Sequence, residues 1–359
     1  MSENENTVSP QRQHAELLAV EVGDWAPLGG DVRLELAGRR TVLVGRNGSG
    51  KSALFEGILL GGQIADTAVV PASTVMDAKL PLYPKRFCVE IRDWQPESFF
   101  YEYTLHKKLI QREWRGARKE AISDPSNLLS RVFRGLHVVV AGVPRQTSTR
   151  SKQVVLVVET PDGADCSYLN RSEPRIGILA RNLVRARFFK NEHVLEQLEE
   201  LGQRIGVWKT LRVELYRRAT DGGDAHPLGS VAIDGVDLGL LADGTLRMAE
   251  ILWALLRADV MSHHLLLIEE PETGVHPGLL AGLLDTLDAY TVDRQVIIST
   301  HSPQVVSWAQ PQELRVVTRQ EGKTQVRPLS EQQVALFLKY LHDQTLGDFV
   351  YSGALDDEG

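Results

Sequence analysis

Thr41 to Leu60 reads TVLVGRNGSGKSALFEGILL. Its first four residues are β-branched or apolar and predict a short buried strand. Gly45-Arg46-Asn47-Gly48-Ser49-Gly50-Lys51-Ser52 then fits G-x-x-x-x-G-K-[ST] at every fixed position. Helical apolar spacing follows at once through Leu54, Phe55, Ile58 and Leu59. The glycines let the backbone take positive φ and turn its N–H groups towards phosphate oxygens. A helix starting near Lys51 points its positive end at the same anion. Lys51 is expected to reach the β- and γ-phosphates as a point charge, and Ser52 to offer its hydroxyl to Mg²⁺. Ala53 closes the nucleotide-binding segment. A nucleoside triphosphate with Mg²⁺ is the expected ligand.

Around this stretch lie 359 residues, room for two domains or for one large domain with an insertion. The apolar fraction of 43% and charged fraction of 24% fit a soluble globular chain. No run approaches the roughly 18 consecutive apolar residues of a membrane span. The opening sixteen residues, MSENENTVSPQRQHAE, lack an apolar signal region and read as a polar tail. Cys88 and Cys166 are far apart, without metal-ligand spacing, which suits reduced thiols in a cytoplasmic protein.

The net charge of −7 hides an asymmetry. Residues 104–218 carry 22 Lys plus Arg against 12 Asp plus Glu, whereas the rest carries 18 against 35. A basic middle in an acidic protein is either an anion-facing surface, for nucleic acid or an acidic partner, or a solvated arginine-rich face. The expected organisation is a tail (1–16), the first part of a head (17–103), a basic helical or mixed insertion (104–218) and the second part of the head (219–359).

Leu17 to Val22 and Val32 to Leu36 predict an antiparallel pair, with Trp25 in the turn either stacking on a nucleobase or covering the sheet edge. Arg86 to Asp93 and Phe99 to Leu105 predict a hairpin. His106 to Ser130 is polar and basic, and its stretch KKLIQREWRGARKEA (107–121) suits an exposed helix. Val138 to Ala141, Val154 to Glu159 and Leu211 to Arg217 predict strands, and Ile176 to Phe189 and Val194 to Ile205 helices. Beyond Val231 come Leu-Ala-Asp-Gly-Thr (241–245) before a helix, the strand Leu265 to Ile268 ending in Glu269-Glu270-Pro271-Glu272, a helix from about Pro277 to Tyr290, and Gln295 to Ile298 ending at Ser299-Thr300-His301-Ser302-Pro303.

Triphosphate hydrolysis needs a metal, a group that orients water and donors on the γ-phosphate. Glu269 is expected to serve Mg²⁺ through water, and Glu270 to polarise the nucleophile. Neighbouring strand residues face opposite sides, so the pair requires the strand to end there, as Pro271 suggests. His301 ends another apolar strand. Ligands of a doubly wound sheet gather at such carboxyl ends, where His301 could donate to the γ-phosphate. Glu270, His301 and Lys51 are the catalytic candidates.

GRNGSGKS, LADGT, LLLIEEPETGVHP and IISTHSP, in this order, resemble the ATP-binding-cassette (ABC) superfamily, in the branch with RecF, SMC and OLD-like ATPases. The resemblance implies an α/β P-loop NTPase fold: an ABC-type head with an N-terminal antiparallel edge sheet and a mixed α+β basic insertion. It also implies ATP, hydrolysis and a homodimer closing on two ATPs. Ala242, Asp243, Gly244 and Thr245 would then be the signature presented to the partner's γ-phosphate, and Glu272 to His276 the dimer-contact loop. Independently, Asp243 or Thr245 reads as a helix N-cap. The family's glutamine-loop residue has three candidates, Gln63, Gln95 and Gln146. The absence of long heptad runs argues against SMC arms. The 56 residues after Pro303 are too few for a Toprim nuclease domain. A stand-alone OLD-like ATPase is therefore expected. The resemblance implies a separate effector encoded nearby, in bacterial anti-phage defence or a toxin–antitoxin module. The alternative is a RecF/SMC-like DNA-binding ATPase of repair or recombination.

Overall fold

A computed structural model of the chain describes residues 16–67, 84–92, 98–106, 109–116, 137–139, 154–160, 163–168, 174–217, 227–261, 265–292 and 294–342. The first half holds β1 (Glu16–Trp25), β2 (Gly30–Glu35), β3 (Arg40–Val44), α1 (Lys51–Thr67), β4 (Arg86–Arg92), β5 (Ser98–His106), β6 (Leu109–Gly116) and β7 (His137–Val139). Then come β8 (Val154–Thr160), β9 (Gly163–Tyr168), α2 (Pro174–Phe188), α3 (Glu192–Ile205), β10 (Leu211–Arg217), β11 (Pro227–Ile233) and β12 (Val236–Asp237). The rest is α4 (Asp243–Met261), β13 (Leu265–Glu269), α5 (Pro277–Tyr290), β14 (Gln295–Thr300), α6 (Pro303–Trp308), β15 (Leu314–Gln320), β16 (Lys323–Pro328) and α7 (Glu331–His342).

The central sheet runs β16-β15-β3-β14-β13-β7, with all neighbours parallel except the antiparallel edge strand β16. Its strands are apolar on both faces because both faces are covered. Leu43, Leu265, Leu267, Ile297 and Val317 join a core with Leu54, Phe55 and Ile58 of α1. The intervening residues Val42, Val44, Leu266, Ile268, Val296 and Ile298 join a second core with Leu183, Leu198, Met248, Leu252 and Leu283 from α2 to α5. Period-two alternation thus splits β3, β13, β14 and β15 between two cores.

β1 and β2 pair antiparallel as expected, and do so within a separate five-stranded sheet, β2-β1-β4-β5-β6, that packs over α1. Gln295 ties this sheet to the central one. Its side-chain oxygen accepts from Leu17 N (2.7 Å), and its amide donates to the carbonyls of Leu17 (2.9 Å) and Gly38 (2.8 Å). Within the central layer, Arg40 of β3 pairs with Glu313 (2.9 Å) and with Asp288 of α5, and lies 4.5 Å over the Trp308 ring of α6.

The helix expected over 107–121 is corrected in its first part, since 109–116 is strand β6; residues 117–121 lie outside the described residues. Ile110, Arg112 and Trp114 stand opposite Leu105, Tyr103 and Tyr101 of β5. β-branched and aromatic residues at alternate positions favour that pairing over a helix. β5 itself runs across residues 103 and 104, between which the head was expected to give way to the basic insertion. A third sheet, β10-β11-β8-β9, carries α2 against it. β9 had no counterpart in the sequence reading. Thr160 pairs with Gly163, so Pro161-Asp162-Gly163 is the turn signal that could have revealed it. No helix among the described residues is long and apolar enough to cross a membrane.

Candidate functional site

β3 ends at Val44 and α1 begins at Lys51, and the six residues between them curl back on the sheet edge. Gly48 and Gly50 take φ of +78° and +109°, where a side chain is strained. Gly50 is also confined from outside. A Cβ there would lie 2.2 Å from Thr324 Oγ1, and one on Gly45 2.1 Å from the Val317 carbonyl oxygen. Thr324 donates to Ser49 O at 3.0 Å. The β15–β16 hairpin therefore clamps the loop from behind, a contact no local motif announces. Arg46, Asn47 and Gly48 are exposed at the mouth, Ser49 is buried and Ala53 packs beside the first core.

Lys51 is buried, 5% exposed, and its ammonium donates to Gly45 O (2.8 Å) and Arg46 O (3.1 Å). Burial pulls its pKa down to about 8 against the opposing pull of Glu270, Glu269 and Glu272. Ser52, one residue on, hydrogen-bonds the Glu269 carboxylate.

Glu269 closes β13 and is 6% exposed. Glu270 follows at φ +43°, in the left-handed region that a non-glycine residue enters only under constraint. That single rotation lets both neighbours face the loop, Glu269 towards Ser52 and Glu270 towards His301. The Glu270 amide donates to Ser299 O (2.8 Å), its carboxylate accepts from Thr273 Oγ1 (3.0 Å), and His301 Nε2 stands 3.6 Å from Oε1. Burial, then the Lys51 charge, lowers the His301 pKa below its ordinary value, with Glu270 and Glu272 opposing.

Sequence reading gave Glu272 no individual role. Its Oε1 accepts from Thr300 Oγ1 (2.7 Å) and His301 N (2.8 Å), joining the loop after β13 to the loop after β14. Its Oε2 is buried without a hydrogen-bond partner among the described residues. Arg247 of α4, 6% exposed, was likewise unremarked. It donates to the Glu269 backbone carbonyl and stands 3.9 Å from Glu250.

The 242–245 turn starts α4. Leu246 N donates to Ala242 O (3.1 Å), so Ala242 is the N-cap position and Asp243 the first helical residue, which corrects the expected cap at Asp243 or Thr245. Gly244 abuts the loop after β13, since a Cβ on it would lie 2.2 Å from Gly274 O. His276 caps α5 by accepting from Gly278 N (3.1 Å). Trp25 is 3% exposed and its ring lies 2.8 Å from where a Gly57 Cβ would stand. It packs on α1 and is closed to a nucleobase. Of the glutamine-loop candidates, Gln95 and Gln146 lie outside the described residues and Gln63 stands on α1. Arg118 and Lys119 of the basic stretch also lie outside them. Cys88 is half-buried, and burial first, then Glu102, pushes its thiol up to about 12, so it is an inert thiol.

Residues 213–307 match the family model described as "AAA domain, putative AbiEii toxin, Type IV TA system". No curated protein matches the sequence. Among solved structures, the chain resembles the Smc head domain of Pyrococcus furiosus bound to the C-terminal domain of ScpA (TM-score 0.51, 11% identity, 91% of this chain and 100% of that one). It also resembles an SmcHead bound to the C-winged helix domain of ScpA (0.52, 13%, 89% and 99%). A third likeness is the Smc head domain with coiled coil and joint of Pyrococcus yayanosii (0.52, 10%, 92% and 99%). The parallel sheet with its glycine loop thus has the fold of these Smc heads, and residues 213–307 are similar to that AAA family.

Proposed function

We propose that the chain binds and hydrolyses ATP at the carboxyl edge of its central sheet, dimerises on ATP, and uses the cycle to regulate a separate effector in bacterial anti-phage defence or a toxin–antitoxin module. The observation that carries the catalytic half is the divergence of Glu269 and Glu270 at one strand end, one towards Ser52 and the other towards His301.

The Ser52 hydroxyl and Glu269 carboxylate are adjacent hard oxygen donors, the set Mg²⁺ favours. Ser52 and Glu269 would hold the ion, which would supply charge neutralisation to the phosphates. Lys51, now satisfied by the Gly45 and Arg46 carbonyls, is placed to exchange them for phosphate oxygens. Glu270 takes a proton from water as the water oxygen attacks the γ-phosphorus. The bond to the bridging oxygen breaks, and ADP leaves with the electron pair. His301 donates from Nε2 to the γ-phosphate.

The family match over 213–307 supports the effector half, and the Smc heads solved with ScpA domains are examples of this fold holding a partner protein. The test is sizing of Glu270→Gln with ATP. A dimer that retains ATP is expected, and a monomer refutes the dimer mechanism. The second reading, a RecF/SMC-like DNA-binding ATPase, draws on the Lys/Arg excess of 104–218. Duplex DNA binding that weakens steeply with salt would favour it. A tight complex with a neighbouring gene product, without DNA binding, favours the first.

A further inference from the structure

The peptide unit between Glu269 and Glu270 is held at both polar ends. Its carbonyl accepts from the Arg247 guanidinium, and its N–H donates to Ser299 O at 2.8 Å. Glu270 rotates about the bond next to that unit, at φ +43°, and this rotation turns its carboxylate to His301. A peptide plane clamped from two elements, α4 and β14, is what keeps a glutamate in a conformation it would leave if free.

Arg247 is buried, and burying a guanidinium is costly unless it is hydrogen-bonded and balanced. Its acid neighbour is Glu250, one turn along the same helix at 3.9 Å. A neutral side chain would fill the space without that cost, so the guanidinium is there for its donors. Gly244 lies one turn before Arg247 on α4, on the same side of the helix. It touches the far end of the same loop at Gly274. Both ends of 269–274, the segment that carries Glu270 and Glu272, therefore rest on the first two turns of α4.

We propose that Arg247 is a positioning residue for ATP hydrolysis, holding the Glu269–Glu270 peptide so that the seating of the α4 N-terminus sets the aim of Glu270. The inference rests on the role of Glu270 proposed above and goes beyond it by making that role depend on α4.

The test compares the full-length wild type, Glu270→Gln, Arg247→Met and Arg247→Lys for phosphate release, ATP affinity and amide hydrogen exchange across 269–274. Arg247→Met is expected to lower kcat at least tenfold, leave ATP affinity within about twofold, and speed exchange of the Glu270 amide while α1 is unaffected. Arg247→Lys, with a charge and a shorter donor, should fall between Met and wild type. It serves alone if the methionine variant does not fold, with kcat lowered at unchanged affinity as the expected result. Unchanged kcat in the folded variants, or kcat and affinity falling together, overturns the proposal. If Glu270→Gln hydrolyses as fast as wild type, the proposed function itself fails. If Glu270→Gln is impaired and the Arg247 variants are not, only this inference fails.

Discussion

The carboxyl edge of the central sheet and the β8–β11 sheet place different demands on sequence. At the edge, the segments that follow β3, β13 and β14 must gather a lysine, two opposed carboxylates and a histidine at one site. Few residue types can occupy those positions, because the backbone itself is constrained: Gly50 at φ +109° against Thr324, Glu270 at φ +43°. In the β8–β11 sheet the requirement is only a pleated face under α2. Many residues satisfy it, and local order there is correspondingly weakly written. Chemistry restricts sequence more tightly than packing does.

Substitutions at the edge should therefore be severe, and comparable ones on the flank mild. The largest effect is expected from Lys51→Ala, which removes the buried cation proposed to meet the phosphates. Phosphate release should fall by about 10²–10³-fold, by analogy with loss of one electrostatic donor to a transition state. A loss below tenfold would mean the lysine does not face the reacting phosphate.

Two glycines sharpen the contrast. Gly50→Ala meets both a positive φ and Thr324 Oγ1, 2.2 Å from the new Cβ, and should abolish nucleotide binding. Gly206, at the end of α3, has a similar φ of +86° but open space beyond it. Gly206→Ala should cost only about 1–2 kcal/mol in thermal unfolding and leave nucleotide binding intact.

A smaller effect concerns pH. Lys51 sits near pKa 8 without nucleotide, and a bound triphosphate must raise that value. Affinity should thus be flat below pH 7.5 and fall up to about tenfold per unit above pH 8, because the free protein must take up a proton to bind. Calorimetry in buffers of different ionisation heat should detect proton uptake near pH 8 and none near pH 6.5. The smallest effect belongs to the surface Arg33, 44% exposed, which pairs with Glu35 at 3.3 Å and with Glu90 at 3.1 Å. Arg33→Ala should cost less than about 1 kcal/mol.

What could be read in advance follows the same division. Residues 45–52, Glu269, Glu270 and His301 announced themselves because each combines a special residue type with an apolar strand directly before it. Thr324, Glu272 and Arg247 did not. Thr324 meets Ser49 across 275 positions, and Glu272 meets Thr300 across 28, so no local pattern could reveal either. Arg247 is one polar residue among several on α4, and only its contact with the Glu269 carbonyl at the end of β13 sets it apart. The helix expected after His106 failed for the converse reason: a charged run satisfied helical propensity, while pairing with β5 decided the outcome.

The central claim is that the edge formed by β3, β13 and β14 hydrolyses ATP through Glu270. Phosphate release from wild type and Glu270→Gln, measured at saturating ATP and Mg²⁺ with nucleotide occupancy monitored in parallel, tests it most directly. The account expects steady turnover by the wild type and loss of turnover, with ATP still bound, by the variant. Equal turnover by the two proteins, or none by the wild type, would contradict it.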